Sequence, residues 1–100
     1  MSIKIAAVCD NSLLGMALKK AGEECGVEVN YEAQYEDSIV DKLSSKTINS
    51  SDVILFVTDR EIEQIEEIER FIDREYYEVL PQFVLSDPKN VISEITMDLY

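Results

Sequence analysis

The chain has 100 residues, 46% of them hydrophobic, with 21 Asp and Glu against 9 Lys and Arg and no histidine, for a net charge of −12. That length suits one domain with a real core, read here as spanning residues 1–100. The acidity argues against nucleic acid and anionic membrane surfaces, both of which want a basic face, and the lack of histidine removes any His-based catalytic pair or His metal site. The acid is uneven: residues 1–50 carry 8 acids and 5 bases, net −3, while residues 51–100 carry 13 and 4, net −9. No apolar run reaches the roughly 18 residues of a membrane span, and the start lacks a signal peptide's basic and apolar regions. A cytoplasmic location is therefore expected.

In chain order, Ile3-Lys4-Ile5-Ala6-Ala7-Val8 and Cys9 read as a buried strand. Ser12 is the expected N-cap of a helix running to Cys25. Leu14, Ala17, Leu18, Ala21 and Cys25 form its apolar face, which makes Cys25 core filler, and Gly26 is its stop. Val27, Val29 and Tyr31 alternate with Glu28, Asn30 and Glu32, the pattern of a strand with one less buried face. Ile39, Val40 and Leu43 suggest a short helix. Val53-Ile54-Leu55-Phe56-Val57 is continuously apolar, as a central parallel strand is, and Thr58 and Asp59 end it. Ile62, Ile65, Ile68, Phe71 and Ile72 then make a helical stripe over residues 61–75, with glutamates outside it. Residues 76–80 are a fourth strand. Asp87 caps a last helix with Pro88 at its first position, and Val91, Ile92 and Ile95 are its buried side.

Strands alternating with helices imply βαβ crossovers and a parallel sheet. The expected fold is an α/β three-layer sandwich with a four-stranded parallel sheet, order 2-1-3-4, Rossmann-like. The two most apolar strands then lie in the middle. The switch point falls between them, and the loops after Cys9 and after Val57 face one crevice.

Cys9 is the residue on which chemistry would turn. A thiol at a strand's C-terminal end is either a nucleophile, attacking as thiolate, or a small apolar plug, since free cysteine is among the most buried residue types. The loop Asp10, Asn11, Ser12 and Leu13 would supply helix N–H groups and side-chain donors to an anion. Asp10 beside the thiol and Asp59 across the crevice oppose that by like charge. Two unit charges 4 Å apart repel by about 4 kcal/mol at an effective dielectric near 20, which exceeds the roughly 0.3–1 kcal/mol of an exposed helix terminus. No Lys or Arg follows Cys9 closely, so a cysteine-phosphatase loop is absent, as is the second cysteine of a redox pair. No cofactor and no metal are expected.

The order of short segments resembles a known family. The strand ending in Cys9, then Gly26-Val27-Glu28-Val29, Glu32-Ala33-Gln34, Ser51-Asp52-Val53, Arg70-Phe71, Tyr77-Glu78-Val79 and Asp87-Pro88 with Val91, are similar in order and spacing to the fructose-type enzyme IIB of the bacterial phosphoenolpyruvate-dependent sugar phosphotransferase system. The resemblance covers nearly the whole chain. It implies a phosphocarrier that accepts a phosphoryl group on Cys9 from an enzyme IIA histidine and passes it to a sugar carried by the membrane enzyme IIC. Asp10, Asn11, Ser12 and Leu13 would be the phosphate loop, and Thr58 and Asp59 the far wall of the crevice. The family follows its cysteine with Pro-Thr-Gly and then His-Thr. Here Asp10-Asn11-Ser12-Leu13-Leu14-Gly15 stands in that place, and the interval to Gly26 is shorter. The alternative is a paralogue that no longer transfers phosphate and acts as a binding or regulatory module.

Overall fold

The computed structural model describes residues 3–99. Its strands are β1 (Lys4–Cys9), β2 (Glu28–Gln34), β3 (Ile39–Val40), β4 (Val53–Val57) and β5 (Tyr76–Val79). Its helices are α1 (Ser12–Cys25), α2 (Ser45–Ser50), α3 (Pro81–Ser86) and α4 (Pro88–Leu99). The sheet has five strands in the order β3-β2-β1-β4-β5. Four of them are parallel, with β1 and β4 side by side at the centre. The fifth, β3, is a two-residue edge strand antiparallel to β2. The fold is thus mixed rather than all-parallel, and its strand count and full order differ from the four-stranded 2-1-3-4 expectation.

The physical reason lies in residues 35–43. Instead of the expected helix, Tyr35 and Ser38 close a turn through Tyr35 N–H to the Ser38 carbonyl at 2.8 Å, and Ile39 and Val40 fold back on Gln34 and Ala33. Asp41 then takes a left-handed φ of 54°, which short polar side chains tolerate. The helix starts later, with Ser44 Oγ accepting from Thr47 N–H at 3.1 Å.

The expected helix over residues 61–75 is also absent. Two 3₁₀ turns, Ile62–Gln64 and Ile68–Arg70, stand in its place, with Glu67 left-handed at φ 56° between them. The charge pattern explains this. Glu63, Glu66, Glu67 and Glu69 would stack as like charges three and four apart on a helix. Tertiary partners also take the backbone: Gln34 Oε1 accepts from Glu66 N–H at 2.9 Å, and Gln34 Nε2 donates to the Glu66 carbonyl at 3.0 Å. Ile65 and Phe71 still reach the core, but Ile72 is 68% exposed.

Three local details differ as well. Asn11, not Ser12, caps α1, its Oδ1 accepting from Leu14 N–H at 3.1 Å. Cys25 is exposed rather than core filler. Pro81 opens the helix α3, which the sequence reading passes over. At α4 the reading and the structure agree: Asp87 Oδ1 accepts from Asn90 N–H at 3.1 Å and Pro88 is the first helical residue.

Two apolar layers flank the sheet. One joins Ile5, Ala7, Cys9, Leu55 and Val57 to α1, α3 and α4. The other joins Ala6, Val8, Ile54 and Phe56 to Leu43, Ile48, Ile65 and Phe71. The alternation of odd and even residues along β1 follows from the two-residue repeat of a strand. No described helix is long and apolar enough to cross a membrane.

Candidate functional site

Cys9 is the last residue of β1, set between Ala33 of β2 and Val57 of β4. Its side chain is fully buried and belongs to the apolar layer that includes Leu14, Leu18 and Val57. Burial pushes its thiol up to about 12, and the charges of Asp10 and Glu32 add to the rise. A thiol so placed is neutral at any physiological pH, and the thiolate is the nucleophile.

Three backbone donors of the loop that follows are bonded within the protein. Asp10 N–H donates to the Val57 carbonyl at 3.2 Å. Ser12 N–H donates to Tyr35 Oη at 3.0 Å, and Tyr35 Oη donates to Ser12 Oγ at 3.2 Å. Those bonds hold the Tyr35 hydroxyl below its ordinary pKa. Leu14 N–H is taken by the Asn11 cap. Leu13 is 71% exposed and turned from the core. The start of α1 is therefore an ordinary capped helix end tied to the β2 side of the sheet.

Across the crevice, Thr58 is buried and Asp59 exposed. The next residue matters more. Arg60 Nη2 donates to Asp10 Oδ1 at 3.3 Å and to Gln34 Oε1 at 3.4 Å, while its backbone N–H and Nε both donate to Thr58 Oγ1. The structure thus brings Asp10 and Thr58 together through Arg60 and leaves Asp59 outside. Sequence reasoning missed Arg60. Its place directly after Thr58-Asp59, at the switch point, was the available signal.

A second ion pair lies on the opposite face from the thiol. Glu32 is fully buried, and both its carboxylate oxygens accept from Arg70 at 2.8 Å. Gln34 Nε2 and Leu43 N–H complete its shell at 2.8 and 3.0 Å. Burial works to raise the Glu32 carboxyl, but the Arg70, Gln34 and Leu43 hydrogen bonds outweigh it and hold it below the usual carboxylate range. Among the described residues, no group of three or more His, Cys, Asp and Glu side chains gathers as a metal ion would require.

These features define a class: a small α/β domain with helices on a mainly parallel sheet and a cysteine closing its first, central strand. A family model described as the lactose/cellobiose-specific IIB subunit of the PTS system matches residues 4–94, and the chain belongs to that family. The solution structure of an enzyme IIB subunit of the PTS system from Escherichia coli K12 is similar at TM-score 0.86 and 28% identity, over 99% of this chain and 95% of that one. A domain of a fructose-specific IIABC component from Borrelia burgdorferi shares the fold at TM-score 0.79 and 21% identity, over 94% of this chain and 93% of that one. A predicted fructose-specific IIB from Escherichia coli does so at TM-score 0.80 and 23% identity, over 94% and 87%. No curated protein matches the chain.

Proposed function

We propose that the chain is a cytoplasmic IIB-type module that binds partners of the sugar phosphotransferase system without carrying phosphate on Cys9. One observation carries this reading: Cys9 is fully buried, and the N–H groups of Asp10, Ser12 and Leu14 are bonded within the protein instead of converging on the sulfur. The magnitudes agree. Raising a thiol from 9.0 to about 12 makes its thiolate costlier by about 4 kcal/mol, at roughly 1.4 kcal/mol per pKa unit. A helix N-terminus returns about 0.3–1 kcal/mol of that when exposed. A phosphorylated sulfur would also set a dianion beside Asp10, whose guanidinium partner Arg60 is already engaged.

The second reading is the carrier itself. The phosphoryl group would move from a IIA imidazole nitrogen to the Cys9 sulfur, with the thiol proton released, and then to a sugar hydroxyl at IIC. Family membership and the place of Cys9 at the end of β1 favour it. It requires the loop to lift and the Asp10–Arg60 pair to part. The fructose-type assignment rests on the segment order, with fructose-specific domains among the proteins that share the fold, whereas the matching model is described for lactose and cellobiose; the IIB role is common to both.

Incubation with phosphoenolpyruvate, the general phosphotransferase proteins and cognate IIA separates the two readings by intact mass. The expected result is no adduct. A stoichiometric gain of about 80 Da at Cys9, one phosphate, abolished by Cys9→Ser, would establish the carrier and overturn the proposal.

A further inference from the structure

A groove of about 720 Å³ is lined by β5, by Leu55 of its neighbour β4, and by α3 and α4. It exists because β5 is an edge strand, while α3 and α4 pack on α1 instead of closing over the strand. Its apolar lining includes Val79, Leu80, Phe83, Val91 and Ile95. Leu80 and Phe83 remain 42% and 51% exposed, so no described residue covers the patch. Its polar rim is of one sign: Glu78, Asp87, Glu94 and Asp98 line it, with no Lys or Arg among the lining residues. Asp98 also accepts a hydrogen bond from Tyr77 Oη, which holds that phenol up to about 12 and keeps the carboxylate at the rim. The closest basic residue in sequence, Lys89, is paired with Glu24 of α1 at 3.4 Å.

We propose that this groove is a docking site for a partner segment of basic and apolar composition, lying in extended form beside β5. Three observations select that occupant. An edge strand leaves alternate backbone N–H and C=O groups unpaired, a template for strand addition. Exposed Leu80 and Phe83 offer an apolar anchor point at the end of that strand. The four carboxylates call for lysine or arginine on either side of the anchor, because opposite charge across an interface sets partner choice and encounter rate. The same charge disfavours a second copy: two chains of −12 would meet through their most acidic halves. The groove includes no residue of the Cys9 loop. It deepens the binding-module reading but survives or fails separately from it, since Cys9→Ser leaves groove binding unchanged.

The test titrates a short capped peptide of alternating lysine and valine into the ¹⁵N-labelled full chain, with the alternating glutamate and valine peptide as control. The expected result is shift changes centred on Val79, Leu80, Phe83 and Glu94, none from the acidic peptide, and a loss of roughly tenfold in affinity for the double variant Glu78→Lys, Glu94→Lys. A matched reversal at Glu36 and Asp37, exposed in the turn at the opposite edge of the sheet, changes net charge equally and costs less than about threefold. Because Phe83 is half exposed, Phe83→Asp leaves the fold intact and serves as a second variant that also loses binding. Equal losses from the two charge reversals, or shifts centred elsewhere, would show non-specific attraction and overturn the proposal. So would a concentration-dependent dimer abolished by Phe83→Asp, which would make the occupant a second copy.

Discussion

The two faces of the sheet are built on different principles. The face toward α1 and α4 is covered by two regular helices with apolar stripes, and its buried groups are almost all hydrocarbon, Cys9 among them. The opposite face is covered by α2 and two 3₁₀ turns and is pinned by a buried ion pair, Glu32 with Arg70. Arg70 also sits 4.6 Å over the Phe71 ring, which packs edge-on against Phe56 at 5.6 Å. A helix satisfies its own backbone, so it can cover a sheet with side chains alone. Irregular turns cannot, and here Gln34 and Arg70 supply the missing partners by bonding the Glu66 carbonyl. Irregular cover thus draws charge into the interior, and the bidentate geometry of arginine on carboxylate suits it to that task.

The sharpest way to break this contrast is Arg70→Ala. Glu32 would be left buried without its guanidinium, and stability should fall by about 3–5 kcal/mol at neutral pH, read from urea unfolding. A loss under about 1 kcal/mol would mean that the turns hold themselves. The acid limb of the stability curve checks the same pair. Because the folded carboxyl of Glu32 is lowered, its contribution is complete above the unfolded value of about 4.3 and disappears as pH falls through the folded value. Glu32→Gln should flatten that limb, and an unchanged slope would remove Glu32 from the account.

On the helical face Gly15 tests the tightness of the packing. A Cβ there would overlap the ring of Tyr31, at atoms close to its attachment. Gly15→Ala should therefore cost about 1–3 kcal/mol by overpacking, despite the better helix propensity of alanine, and calorimetry would show the drop in Tm. A rise in Tm would mean that Tyr31 moves aside freely. A smaller effect, about 1 kcal/mol, is expected from Asn11→Ala through loss of the α1 cap. A cost near zero would give the capping role back to Ser12.

Much of this arrangement was legible without coordinates. The unbroken apolar run 53–57 announced a central strand, because only a strand covered on both sides tolerates it. Gly26 and Asp87-Pro88 marked helix ends because left-handed backbone and a missing N–H are tolerated in few places, and Gly26 does take φ 73°. The Cys9 strand end and its pairing beside β4 followed from the alternation of elements.

What the sequence by itself determined was the parallel order around β1 and β4, because continuous hydrophobicity and stop residues are local properties. Only the tertiary structure decided the rest. It melted the 61–75 stripe into turns, since the partners of Glu66 and Arg70 lie on β2, more than thirty residues away along the chain. It brought Arg60 onto Asp10 and sank the Cys9 thiol beneath α1. Hydrogen bonding and burial depend on which segments meet in space, and no periodicity in the chain encodes that meeting.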